Sequence, residues 1–191
     1  MVRGWGSLIA LALAGCTAAP PREVAPALPT IVSLNPCTDA ILAEVADPQQ
    51  ILAISHYSQD PAGSSMDLAK ARQFRTTSGA VEEVLALQPD LVIDGTFTAP
   101  ATRSALERLG MQLEQVPIAA TVPDSLAQVR RLATLAGHPE RGEALVRRIE
   151  LALNASKAPA GAPIPAIVWQ GGGIVAGEGT LITALLAHTG F

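Results

Sequence analysis

The chain has 191 residues, with 13 Lys and Arg side chains against 17 Asp and Glu, and a formal net charge of -4 at pH 7. No basic excess is available to neutralise a nucleic-acid backbone, so nucleic acid is not an expected partner. Hydrophobic residues make up 49% and charged residues 16% of the chain, a composition too apolar for a disordered protein and sufficient for a packed core.

The N-terminus has the pattern of a secretory signal peptide. The stretch over residues 5–14 is apolar and follows a basic residue, but it is shorter than the ~20 residues that a membrane-spanning helix requires. Leu-Ala-Gly-Cys over residues 13–16 resembles a bacterial lipobox, in which the cysteine becomes acylated after cleavage. We therefore expect a signal peptide over residues 1–15 and lipidation of Cys16, with ordinary cleavage near Ala19 as the alternative.

Residues 16–29 are rich in proline and small side chains, which predicts an extended tether. From residue 30 onward, short β-branched runs alternate with longer amphipathic stretches, a pattern typical of α/β folds built on a mainly parallel sheet. We expect strands at residues 30–34, 51–55, 91–94 and 112–116, and helices at residues 38–45, 81–87, 101–109 and 123–136.

A longer helix is predicted from Pro139 to about Ser156, because proline is favoured in a first turn and apolar residues then recur every four positions. Beyond it, a strand at residues 166–169, a glycine turn at 171–173 and a helix at 180–187 predict one further βα unit. The expected organisation is an N-terminal α/β lobe over 30–138, a linking helix over 139–157 and an incomplete second lobe over 158–191.

Aromatic side chains are only 3% of the chain, so their positions are informative. Tyr57 and Phe97 follow predicted strands, and Trp169 ends the strand of the last unit. Because open parallel sheets bind ligands at the carboxyl ends of their strands, these rings predict a cleft for a large planar or apolar ligand, with hydrogen bonds from Asn35 and Gln170. Packing of the same rings in the interior is the alternative.

Two kinds of chemistry are alternatives to simple binding. Cys37 lies at a predicted helix start, where a thiol pKa is lowered, and His56 lies on a neighbouring loop, so a secreted thiol-dependent enzyme is one alternative. No glycine-rich nucleophile elbow accompanies the pair. The histidines show no HxH or HxxxH spacing, so no metal site is predicted, and a metal-binding lipoprotein is the weaker alternative.

The segment over residues 81–93 reads Val-Glu-Glu-Val-Leu-Ala-Leu-Gln-Pro-Asp-Leu-Val-Ile and runs from a helix into a strand. Together with residues 31–35 and 51–55, it resembles the iron-siderophore, haem and vitamin B12 class (class III) of ABC-transporter substrate-binding proteins. Residues 169–181 resemble the start of the C-terminal lobe in that family. The resemblance extends from Thr30 to the end of the chain.

The resemblance implies two α/β lobes joined by one long helix, with the ligand held between them and no catalysis. It also implies a periplasmic, lipid-anchored protein that delivers a corrinoid, haem or siderophore to a membrane permease, any cobalt or iron belonging to the ligand. Glu82 matches a glutamate that docks on the permease, although Glu83 would serve as well and first-turn acids also favour the helix dipole. Because the family continues with further βα units, we expect a truncated second lobe.

Overall fold

The computed structural model describes residue 1 and residues 28–191. The predicted signal peptide, Cys16 and nearly all of the tether lie outside the described residues. A five-stranded parallel sheet, in the order β3-β2-β1-β4-β5, forms the centre of the N-terminal lobe. Its strands are β1 Ile31–Ser33, β2 Ile51–Ser55, β3 Thr76–Thr77, β4 Leu91–Gly95 and β5 Leu113–Val116.

Helices connect these strands and cover both faces of the sheet. They are α1 Pro36–Val45, α2 Leu68–Ala71, α3 Val81–Leu87, α4 Pro100–Arg108, α5 Val122–Leu135 and α6 Pro139–Ser156. Local chemistry sets several of their ends. Thr121 and Asp124 form a reciprocal capping box at the start of α5. Gln88 adopts a left-handed conformation, with φ 48°, directly after α3, and Pro89 then prevents continuation.

Two apolar clusters fill the space between the sheet and its helices. On one face, Ile31 and Ile93 pack with residues of α1 and α5. On the other face, Val32 and Val92 pack with Val84 and other residues of α3 and α4. Successive residues of a strand point to opposite faces of the sheet. Neighbouring apolar residues of β1 and β4 are therefore all buried, as expected for a parallel sheet that helices cover on both faces.

The long helix α6 packs against α5 at the side of the lobe. Val129 and Val146 are buried between the two helices, and Gly142 approaches Ala133 so closely that an added Cβ would collide with it. Near the start of α6, Gln50 Oε1 accepts a hydrogen bond from His138 Nε2 at 3.0 Å, and Gln50 Nε2 donates to the carbonyl of Ala136 at 2.9 Å. This helix therefore begins at a fixed position on the N-terminal lobe.

After α6 come β6 Trp169–Gln170, β7 Ile174–Val175 and α7 Leu181–His188, and short 3-10 helices are formed by Pro48–Gln50, His56–Gln59 and Gly171–Gly173. The expected strand over residues 166–169 is wrong in extent and type, because only Trp169 of that range is in a strand and β6 pairs antiparallel with β7. Gly172 and Gly173 have φ of 76° and 79°. These values, which glycine adopts without strain, permit the tight turn from β6 to β7. His188 contacts the carbonyl of Leu153 through Nε2 at 2.6 Å, joining α7 to α6.

Among residues 28–191, every helix is too short or too polar to cross a membrane.

Candidate ligand-binding site

The order in which strands are added to the parallel sheet reverses between β1 and β4. From β1 the chain proceeds to β2 and β3 on one side, whereas β4 and β5 extend the sheet on the other side. Loops leaving two such neighbouring strands diverge and open a crevice at the carboxyl edge of the sheet. A cavity of about 430 Å³ lies there, and it is lined by Leu34, Asn35, Pro36, Tyr57, Ser78, Gly79, Gly95, Phe97, Thr98, Ala99 and Thr102.

Asn35 forms the part of the wall that follows β1. Its side-chain oxygen accepts a hydrogen bond from the Cys37 backbone N–H at 2.8 Å and so caps α1. The Asn35 amide lies directly over Gly95 at the end of β4, where an added Cβ would collide with Nδ2. A side chain at position 95 would therefore displace the Asn35 amide from this place.

Tyr57 and Phe97 supply the aromatic part of the wall. Tyr57 is 54% exposed and Phe97 is 86% exposed. The Tyr57 ring lies beside the His56 ring, with centroids 4.0 Å apart and planes inclined by 35°. Large apolar side chains left this open beside a cavity are typical of a surface that receives a ligand.

The loop that carries Tyr57 contains the short 3-10 helix His56–Gln59 and is hydrogen-bonded to a buried carboxyl group. Asp39, in the first turn of α1, accepts hydrogen bonds at Oδ2 from the Ser55 backbone N–H at 2.9 Å and from the Ser58 hydroxyl at 2.6 Å. Burial raises the pKa of Asp39 to about 7, while hydrogen bonds from Ser33, Ser58 and Ser55 act in the opposite direction.

Among residues 28–191, no Lys, Arg, His, Asp or Glu side chain belongs to this lining. The nearest guanidinium in sequence belongs to Arg103, which follows the lining residue Thr102. Arg103 is ion-paired with the buried Asp94 and lies 3.8 Å from Glu107. Burial raises the pKa of Asp94, and the hydrogen bond from Arg103 opposes that rise. The positive charge of Arg103 is thus balanced within the lobe.

The structure brings three of the five predicted binding residues together. Asn35, Tyr57 and Phe97 line the cavity, whereas Trp169 and Gln170 lie exposed in β6 and are not part of its lining. Binding roles for all five stay predictions. The sequence reasoning missed Ser78 and Gly79, although Thr-Thr-Ser-Gly over residues 76–79 is a short β-branched run followed by a turn signal.

Cys37 and His56 have separate polar neighbours. The Cys37 sulfur lies 3.8 Å from the Ser65 hydroxyl oxygen, and His56 Nδ1 lies 3.3 Å from the Thr77 carbonyl oxygen. Among residues 28–191, no hydrogen bond joins Cys37 to His56. Within the same range, no three His, Cys, Asp or Glu side chains are grouped closely enough to hold a metal ion.

The two glutamates that open α3 differ in their surroundings. Glu83 accepts hydrogen bonds from the Thr77 hydroxyl at 2.7 Å and from the Ser78 backbone N–H at 2.8 Å, and these contacts lower its pKa. Glu82 is exposed, and no side-chain hydrogen bond or ion pair engages it within the described part of the chain. The Glu83 carboxylate is therefore occupied by hydrogen bonds from Thr77 and Ser78, whereas the Glu82 carboxylate is available to a partner.

The family model described as "Periplasmic binding protein" matches residues 31–191. The chain belongs to the periplasmic binding protein family. The predicted α/β fold of a periplasmic binding protein, with one long helix after the N-terminal lobe, is confirmed. The resemblance to the haem, vitamin B12 and siderophore class is confirmed as well. No curated protein matches the chain in a separate comparison.

Solved structures share the fold at low sequence identity. A periplasmic heme binding protein from Pseudomonas aeruginosa has 21% identity and a TM-score of 0.58, over 68% of this chain and 46% of that one. RhuT, a periplasmic heme-binding protein from Roseiflexus sp. RS-1, has 20% identity and a TM-score of 0.65, over 86% and 65%. The vitamin B12 binding protein BtuF of Vibrio cholerae has 20% identity and a TM-score of 0.51, over 68% and 52%. The chain therefore spans 46% to 65% of these structures.

Proposed function

We propose that this chain is the periplasmic substrate-binding component of an ABC importer and carries a corrinoid or an iron chelate, either haem or a siderophore. The proposal rests on the cavity at the carboxyl ends of β1 and β4, beside which Tyr57 and Phe97 are exposed. The chain that contains this cavity is a member of the periplasmic binding protein family. Binding and release are sufficient for this role. Any cobalt or iron is part of the cargo.

The chemistry of the wall favours a ligand with a flat, uncharged face. Tyr57 and Phe97 offer π-surfaces for such a face, and Asn35, Ser78 and Thr98 offer neutral hydrogen-bonding groups. A polyanionic chelate is bound best by guanidinium or ammonium groups, and the part of the chain that the structure describes contributes none to the lining. On this wall a tetrapyrrole or corrin ring is therefore favoured over a polyanionic siderophore, with Trp169 and Gln170 proposed as further contacts.

Two further parts of the proposal concern the membrane. Glu82 would dock on an arginine-lined pocket of the permease, because it is exposed while Glu83 is held by Thr77 and Ser78. An exposed ion pair contributes only about 0–1 kcal/mol, so this contact would orient docking more than strengthen it. Acylation of Cys16 would anchor the protein to the membrane.

A panel of probes tests the proposal on the full chain. Cyanocobalamin, haemin and ferric citrate are titrated into the purified protein by isothermal titration calorimetry, with absorbance spectra recorded for the two macrocycles. We expect saturable binding of at least one macrocycle and weaker binding of ferric citrate. Absence of binding to all three by folded protein would contradict the function, whereas tighter binding of ferric citrate would contradict only the preference for an uncharged ring.

A further inference from the structure

Asp39 joins two separate parts of the ligand-binding site. It lies in the first turn of α1, and its backbone N–H donates to the Asn35 carbonyl at 2.9 Å. Its side chain is completely buried and points to the loop after β2, where it meets Ser55 and Ser58. The residue therefore contacts both the turn that carries Asn35 and the loop that carries Tyr57.

The two hydrogen bonds to the loop converge on one atom. Asp39 Oδ2 accepts both from the Ser55 N–H at 2.9 Å and from the Ser58 hydroxyl at 2.6 Å. Ser55 and Ser58 are buried and stand on either side of Tyr57 in the sequence. The residues on both sides of Tyr57 are thus hydrogen-bonded to the same oxygen atom of Asp39.

The other contacts of Tyr57 come from its immediate neighbours. Its ring lies beside the His56 ring, with centroids 4.0 Å apart. Its own backbone N–H reaches the Ser55 hydroxyl oxygen at 3.4 Å, and its carbonyl accepts from the Asp60 N–H at 3.1 Å. Gln59 secures the far end of the loop by donating to the carbonyls of Ala71 and Phe74. Because more than half of the Tyr57 side chain is exposed, its position depends on the backbone beneath it.

We propose that Asp39 is a positioning residue of the ligand site, which fixes the Tyr57 loop to the helix that begins behind Asn35. Two walls of the cavity then keep a constant separation whether or not a ligand is present. The consequence for binding rests on the proposed function above, whereas the restraint on Tyr57 does not. A site held in its binding geometry loses less conformational entropy when the ligand arrives.

The restraint can be measured without a ligand because Tyr57 is the single tyrosine of the chain. Incorporation of 3-fluorotyrosine gives one 19F resonance, and we expect it to differ in position from that of the urea-unfolded chain. Asp39→Ala and, separately, Ser58→Ala should move this resonance toward the unfolded position or broaden it. Asp39→Asn should preserve it, because one amide oxygen can accept both hydrogen bonds that now reach Oδ2.

Asp47→Asn is the matched control, since Asp47 follows the other end of α1 and pairs with Arg141 at 2.8 Å. Circular dichroism melting shows whether each variant is folded. If Asp39→Ala is unfolded, the resonance of Ser58→Ala alone tests the restraint on Tyr57. An unchanged Tyr57 resonance in Ser58→Ala and in folded Asp39→Ala would overturn the restraint.

Affinity provides the second readout, with cyanocobalamin and haemin as probes. We expect Asp39→Ala to weaken binding of the accepted probe by about tenfold and Asp39→Asn by less than about threefold, as for loss or retention of a pre-organised contact. Equal affinity despite a displaced Tyr57 resonance would overturn the link to binding. No binding of either probe by the unaltered chain would count against the proposed function, and the 19F result would still decide the restraint.

Discussion

Replacement of Asp39 by Asn should change how the stability of the protein depends on pH. The ordinary carboxyl pKa of 3.8 is raised to about 7 in the folded chain, chiefly because burial disfavours the ionised form. Between these two values the folded chain holds a proton that the unfolded chain releases. The resulting stabilisation is complete below about pH 4 and is lost as the pH rises through about 7.

The size of the effect follows from the distance between the two pKa values. A displacement from 3.8 to about 7 corresponds to about 4 kcal/mol in the free energy of unfolding. Asn does not titrate, so the variant lacks this loss. Relative to the unaltered chain, Asp39→Asn should therefore gain about 4 kcal/mol in the free energy of unfolding between pH 4 and pH 8.

Urea denaturation followed by circular dichroism at several pH values between 4 and 8 measures this difference. Asp47→Asn gives a control of opposite sign, because Arg141 holds the pKa of Asp47 below its usual range. Its carboxylate stabilises the fold above its ordinary pKa, and that contribution is lost as the pH falls. A constant difference between Asp39→Asn and the unaltered chain from pH 4 to pH 8 would refute the assignment of a buried, proton-holding carboxyl.

Four further substitutions test separate contacts. Gly95→Ala should lower the free energy of unfolding by about 1 kcal/mol in urea titrations, because its methyl group would displace the Asn35 amide that caps α1; unchanged stability would contradict the close approach. Arg103→Met should lower it by about 3 kcal/mol at pH 7 by leaving Asp94 buried without its ion pair, and a neutral result would show that the pair contributes little. In binding assays with the detergent-solubilised permease, Glu82→Gln should weaken docking without altering the melting temperature, whereas Glu83→Gln should lower the melting temperature; the reverse pattern would exclude Glu82 as the docking residue.

The sequence predicted those elements whose limits are set by local chemistry. The bounds of β2, α3 and α6 agree with prediction, because proline or polar residues end each apolar run at a definite place. The strand β3 was missed since it pairs over only two residues, which is too short for any period to appear. The antiparallel partner of β6 was missed because a β-branched run does not reveal which strand will lie beside it.

Site residues were predictable where a general rule of parallel sheets applies. Asn35, Tyr57 and Phe97 follow strands directly, so the carboxyl-edge rule indicated them, and the structure places all three in one lining. Ser78 depended on the missed strand β3. Asp39 gave no signal at all, because an acid in a first turn is already explained by the helix dipole. Its contacts with Ser55 and Ser58 arise only from the tertiary fold.

The proposed function requires that Tyr57 and Phe97 contact the ligand directly. Calorimetric titration of cyanocobalamin and haemin into the unaltered chain and into a Tyr57→Ala, Phe97→Ala double variant tests it most directly, with Leu109→Ala, an exposed apolar residue outside the cavity lining, as the control. Two aromatic contacts at about 1 kcal/mol each predict about a 30-fold loss of affinity in the double variant and none in the control. Equal affinity of the double variant and the unaltered chain for a bound macrocycle would contradict the account.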